Sequence, residues 1–183
     1  MKEITKNLQI GIIGPEEKYL PKNRKNREKI LKAAEIIGKI IAEGKAVLIT
    51  GGCSGVVEAA CKGAYENDGI VVSTPGRKRW SAIPYTTVEI CTPIDIGDFV
   101  FAGTLSCDAI IVIPGDAGTL AEIAIAYRNK KPLIFIKGFG EKILNQLKLE
   151  NRKNYPYFVV DSAEKAAELA IKLSAASLFG SNS

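Results

Sequence analysis

Ala109-Ile110-Ile111-Val112-Ile113-Pro114-Gly115-Asp116-Ala117-Gly118-Thr119 is the stretch whose reading decides the fold. Five consecutive apolar residues are too few for a helix and do not alternate, so they read as a strand buried on both faces. Pro114 and Gly115 end that strand, and 120–128 continues with helical spacing. A buried strand that turns through glycine into a helix is the unit of a parallel sheet, and the chain on either side repeats it. Downstream come a buried strand at 132–136, a helix at 139–149 and a last strand at 157–160. Asp161 with Glu164 three residues on reads as a capping box for a terminal helix reaching about 177, with 178–183 a frayed tail. Upstream, 8–14 is a strand ending in Gly14, and Ile30, Leu31, Ala34, Ile37, Ile40 and Ile41 give a helix over 26–43 with Gly44 as its left-handed stop. A strand at 46–50 enters Gly51-Gly52-Cys53-Ser54-Gly55. A helix over 54–67 stopped near Gly69, a strand at 70–74, a loop at 75–84, an edge strand at 86–90 and a short helix at 95–105 complete the pattern. Crossovers between parallel strands are right-handed, so the expected fold is α/β: a Rossmann-like, doubly wound parallel sheet in three α/β/α layers, one domain over 1–183.

Composition narrows the chemistry. The 183 residues are 46% apolar and 25% charged, with a net charge of +5, as in an ordinary globular protein. Histidine is absent, which removes Ser-His and Cys-His nucleophile pairs and histidine-ligated metals together. The four cysteines, Cys53, Cys61, Cys91 and Cys107, form no C-x-x-C pair and read as small buried hydrophobes of a reducing compartment, with no metal site. The charged N-terminus and the short apolar runs predict a cytoplasmic protein that does not enter membranes.

In such a sheet ligands bind beyond the carboxyl ends of the strands, where the strand order reverses. That edge carries Gly14, the turn Gly51-Gly52-Cys53-Ser54-Gly55 and the turn Pro114-Gly115-Asp116-Ala117-Gly118-Thr119. Glycines at a strand-to-helix turn serve tight turning alone in the plainer reading. Two such turns in one domain favour a phosphate-bearing ligand, because backbone N–H groups and a helix N-terminus both attract anions. Thr119 adds a hydroxyl donor, and Glu122, one turn on, shares its face. Arg77-Lys78-Arg79-Trp80 follows the third strand on the same edge; Arg77 and Arg79 are candidate ligand contacts beside a stacking ring, unless the loop is simply solvated. Lys22, Arg24, Lys25 and Arg27, like Arg128, Lys130 and Lys131, read as wet faces. Gly11-Ile12-Ile13-Gly14-Pro15 lacks the third glycine of a dinucleotide fingerprint, which argues against a nicotinamide enzyme.

At both turns the sequence resembles the superfamily of LONELY GUY-type phosphoribohydrolases, molybdenum-cofactor carrier proteins and the Rossmann domain of DNA-processing protein A. Gly51-Gly52-Cys53-Ser54-Gly55-Val56-Val57-Glu58-Ala59-Ala60 is similar to its first glycine segment, Pro114 to Glu122 to its P-G-G-x-G-T-x-x-E signature, and Ser106-Cys107-Asp108-Ala109 fits as well. Members have often been called lysine decarboxylases, yet nothing here points to pyridoxal phosphate chemistry. The resemblance implies that Glu122 is the catalytic group if the chain is a hydrolase of nucleoside monophosphates. It also implies an arginine nine residues before Asp108, where this chain has Phe99. Without that guanidinium the leaving group and phosphate lose a bidentate cation. The chain therefore resembles the carrier branch more, whose members bind an anionic pterin without processing it.

The expected function is binding or carriage of a nucleotide or molybdopterin-type cofactor, with no cofactor required for folding; the alternative is a phosphoribohydrolase using Glu122. Asp116, where the signature has glycine, is expected to cap the next helix by accepting the N–H of Thr119 and so to fill part of the anion site in the empty protein. A charge of +5 with few interleaved aromatics argues against nucleic acid as the partner. By resemblance the protein is a homodimer or larger, with the helix at 26–43 a candidate face, although core packing explains its apolar stripe equally well.

Overall fold

The computed structural model describes residues 7–93, 99–146 and 157–180. Among these, seven strands pair only in parallel: β1 (Gln9–Ile13), β2 (Val47–Thr50), β3 (Ile70–Gly76), β4 (Val88–Cys91), β5 (Ala109–Val112), β6 (Leu133–Ile136) and β7 (Tyr157–Val160), in the order β4-β3-β2-β1-β5-β6-β7. The chain builds outward from β1 to β4, then returns to place β5 against β1. The order therefore reverses between β1 and β5, and a crevice opens at their carboxyl ends.

Unbroken apolar strands need cover on both faces. On one side Ile10, Ile12, Leu48, Val71, Ile111, Ile113 and Ile134 pack under α1 (Arg24–Glu43), α2 (Val56–Tyr65) and α6 (Ala163–Gly180). On the other, Ile13, Ile49, Ile110, Val112 and Phe135 meet Cys107 and Leu144, together with Ile123 and Ala126 of α4 (Ala117–Arg128). A π-turn at Phe99–Gly103 leads into the short α3 (Thr104–Ser106), and α5 (Ile143–Gln146) is one turn long. Among the described residues no full helix caps this second face beside β2–β4. A groove of about 640 Å³ remains, lined by Val47, Ile49, Val72, Ile90 and Ala102.

The fold follows the sequence reading; several boundaries do not. Gly44 has φ −75° and is not the left-handed residue; Lys45 is, at φ 55°. The stop after α2 likewise falls on Asp68, φ 57°. β3 continues through Pro75 and Gly76, because the parallel edge strand β4 keeps pairing with it. The helix read at 139–149 is confined to α5 within the described residues, since Gly138 and Gly140, at φ 82° and 103°, hold the chain in a turn; 147–150 lie outside them. The part of the helix read at 95–105 that is described is the π-turn and α3.

Ser162, not Asp161, caps α6: its hydroxyl accepts the N–H of Lys165 at 3.3 Å, while Asp161 pairs with the Lys165 ammonium at 3.1 Å. That helix runs to Gly180, so 178–180 are not frayed. Cys61 and Cys107 are buried as expected, Cys53 is half-buried, and Cys91 on the edge strand is exposed. Of the apolar stripe of α1, Ala33, Ala34, Ile37 and Ile41 are buried in the core, while Ile30, Leu31 and Ile40 are half-buried against it.

Candidate functional site

The two glycine turns and the loop after β1 converge at the reversal point, and Pro15 joins them. Its carbonyl accepts the N–H of Val56, the first residue of α2, at 3.1 Å. Its ring lies against Gly115, where an added Cβ would come within 2.6–2.9 Å of three ring carbons. Gly55, at φ 83°, passes directly beneath: a Cβ there would stand 2.5 Å from the Pro15 oxygen. The first turn thus uses its glycines largely to let the β1 loop approach. The N–H of Val56, which opens α2, is taken by Pro15 rather than presented to an anion, and the Ser54 hydroxyl accepts the N–H of Glu17 at 3.4 Å with its own O–H left to donate.

The second turn is more open. Asp116 is the N-cap of α4, its Oδ1 accepting the N–H of Thr119 at 2.9 Å and the Thr119 hydroxyl at 3.2 Å. That is the capping geometry read from the sequence. It also corrects the part given to Thr119, which is 2% exposed with its hydroxyl turned onto Asp116. Gly115, Ala117 and Gly118 are exposed. At Gly118 the sole atom near an added Cβ is Asp116 Oδ1, at 3.2 Å, so the space over the first turn of α4 is open apart from that carboxylate.

Glu122 projects from α4 into the same mouth. Burial, and then the charge of Asp116, lift its carboxyl to about 8. Cys53 sits between the turns with Glu16, Glu122 and Asp116 near enough to act on it; burial first and these charges next push its thiol up to about 12, leaving it a weak nucleophile. This side of the mouth is therefore acidic. Among the described residues no group of three or more acidic, Cys or His side chains has a metal-binding arrangement.

A protonated Glu122 has a measurable signature. Between about pH 4.5 and about pH 8 the folded chain keeps a proton that the unfolded chain has released. Stability must then fall as pH rises through that window, by up to roughly 1.4 kcal/mol per pH unit. Glu122→Gln is expected to flatten this slope in urea titrations at pH 5, 6.5 and 8. Parallel pH profiles for the two proteins would show that Glu122 titrates normally.

The basic loop reaches the first turn through its apolar end, not its cations. Ile83 donates its N–H to the Gly52 carbonyl at 3.3 Å. Arg77 is drawn to the Pro93 carbonyl at 2.7 Å, and Arg79 lies over the exposed Trp80 ring at 4.6 Å. Glu89 of β4 gathers the loop, accepting the N–H groups of Trp80, Ser81 and Ala82 at 2.9, 3.0 and 3.4 Å. Desolvation opposes these bonds, but with the nearby Arg79 charge they hold the Glu89 carboxyl below its usual range. Glu141 does the same for the turn after β6, accepting the Gly138 N–H at 2.9 Å. Backbone amides at this end of the sheet are thus held by three carboxylates of the chain itself: a cluster of three by Glu89, that of Thr119 by Asp116 and that of Gly138 by Glu141.

One part of the site was not foreseen. Across Gly115 from the acidic mouth, a cavity of about 440 Å³ lies between α1 and the turns after β1, β5 and β6, lined by Pro15, Asn26, Lys29, Pro114, Gly115 and Phe139 among others. Periodicity marks Lys29 only as a polar helix position; nothing in sequence brings it to Phe139, 110 residues away.

An all-parallel sheet with paired glycine turns at its reversal point, one capped by acid, defines a Rossmann-like α/β protein of the kind that gathers its function at this edge. The chain matches the SLOG cluster4 family over residues 7–167 and belongs to that family. An uncharacterized protein of Archaeoglobus fulgidus is 36% identical over 132 residues, 72% of this chain and 82% of that one. The molybdenum cofactor binding protein of the phototrophic bacterium Rippkaea orientalis superposes with a TM-score of 0.77 at 28% identity, covering 93% of this chain and 99% of that structure. The molybdenum cofactor carrier protein of Chlamydomonas reinhardtii gives 0.76 at 26%, with the same two coverages. The likeness to carriers read from the glycine segments is thus matched across the whole fold. No helix among the described residues is long and apolar enough to cross a membrane.

Proposed function

We propose that the protein binds a phosphate-bearing small molecule, a nucleotide or a molybdopterin-type cofactor, at the edge formed by Gly14, Gly51–Gly55 and Gly115–Thr119, and carries it without chemical change. The observation that carries this reading is the open cradle over Gly118, set at the strand-order reversal beside a second glycine turn. Similarity to two structures described as binding or carrying the molybdenum cofactor supports it. Phe99 stands where the related hydrolases have their arginine, which favours holding over cutting.

Native mass spectrometry of freshly purified protein is expected to show an adduct of nucleotide or pterin mass. The same spectrum reads the subunit count, expected to be two or more; the groove beside β2–β4 and the exposed Phe101 and Leu105 offer apolar surface for self-association. A bare mass, with no heat of binding for adenosine monophosphate or a pterin phosphate, would refute the binding reading.

Glu122 supports a second reading. A carboxyl raised to about 8 is protonated at neutral pH and suited to act as general acid in glycosidic cleavage. Release of ribose 5-phosphate from adenosine monophosphate, lost in Glu122→Ala, would replace carriage by phosphoribohydrolysis.

A further inference from the structure

The ligand edge is electrically lopsided about Gly115. On one side stand Glu16, Asp116 and Glu122 around Cys53. On the other, Lys29 is the one charged side chain among the residues lining the 440 Å³ cavity, while the Glu141 carboxylate lies behind its wall on the N–H of Gly138. Three other cations of this part of the chain are engaged by acids: Arg24 with Glu28 at 2.7 Å, Arg27 with Glu17, Lys18 with Glu16 at 3.0 Å. Lys29 has no carboxylate within ion-pair distance among the described residues, and its ammonium rests 4.9 Å over the Phe139 ring. The N-terminal turns of the 20-residue helix α1 border the same space at Asn26, adding the positive end of its dipole.

An anion arriving at this edge thus meets repulsion over α4, where Asp116 already holds the Thr119 amide, and attraction across Gly115. We propose that the cavity bounded by Lys29, Asn26, Gly115 and Phe139 is the anion compartment of the ligand site, with Lys29 the cation that receives the phosphate while the neutral part of the ligand lies over Gly118 beside Glu122. This rests on the binding reading above and gives the ligand a direction, phosphate toward α1. When Lys29 swings to the phosphate it uncovers the Phe139 ring, an apolar face for whatever adjoins that phosphate.

Calorimetry with adenosine monophosphate, adenosine and inorganic pyrophosphate separates the parts. Lys29→Met is expected to weaken adenosine monophosphate and pyrophosphate about tenfold, the scale of one charge-assisted hydrogen bond, and to leave adenosine unchanged. Lys29→Arg should retain most of the affinity, and Lys25→Met, an exposed cation one turn away, all of it. Lys29 is itself exposed, so the variants should unfold at the wild-type urea midpoint. Undiminished binding of adenosine monophosphate to Lys29→Met would overturn the compartment and leave the binding reading intact. Equal weakening of adenosine and its monophosphate would overturn it too. Failure of the wild-type protein to bind adenosine monophosphate, pyrophosphate or a pterin phosphate would remove both.

Discussion

Gly38→Ala is expected to destabilise the fold by about 3 kcal/mol, although alanine is the better helix former by roughly 1 kcal/mol. At Gly38 in α1, an added Cβ would fall inside the Ala60 carbonyl of α2, and at Gly63 in α2 a Cβ would fall inside the Glu35 carbonyl of α1. The two helices touch backbone to backbone, so no side chain can rotate away and the helices must part. Separation would pull Val56 from the Pro15 carbonyl and loosen the first glycine turn. In a chain of this length the loss corresponds to roughly 6–12 °C in Tm. A urea midpoint at or above that of the wild type would mean that the interface gives at little cost.

Asp116→Gly is expected to tighten binding of adenosine monophosphate about thirtyfold. The carboxylate is the nearest fixed charge to the cradle over Gly118. Two unit charges roughly 8 Å apart at a protein surface repel by about 2 kcal/mol, and salt reduces that figure. Losing the cap itself costs only a few tenths of a kcal/mol when glycine replaces it. The variant also restores the glycine of the related signature. Calorimetry at low and high salt checks the size and its electrostatic origin; unchanged or weaker binding would show that Asp116 is no competitor. Adenosine should respond little.

The β5–α4 unit was legible because everything that shapes it is local: an apolar strand, Pro114 and Gly115 to end it, and an aspartate three residues before the amide it caps. The same locality made the fold legible. Reading faltered where two adjacent residues compete for one task. Lys45 rather than Gly44 takes the left-handed conformation, and Ser162 rather than Asp161 takes the cap, because Asp161 is drawn to Lys165. Tertiary partners were out of reach altogether. The use of Val56 N–H by Pro15, the acidic surroundings of Cys53, the hold of Glu89 on the Trp80 loop and the pairing of Lys29 with Phe139 all join segments that the sequence keeps apart. Arg77 and Arg79 looked like ligand cations, since a run of positive charge carries no sign of the carbonyl and ring that hold it.

The self-occupied amides at Glu89, Asp116 and Glu141 change what arrival and departure involve. A negative guest that reaches any of them displaces a resident, so the net gain at that amide is a difference between two similar attractions. The resident is tethered, and tethering gives it a high local concentration that no dilution lowers. It refills the vacancy as a guest loosens, which makes the empty state easy to re-enter.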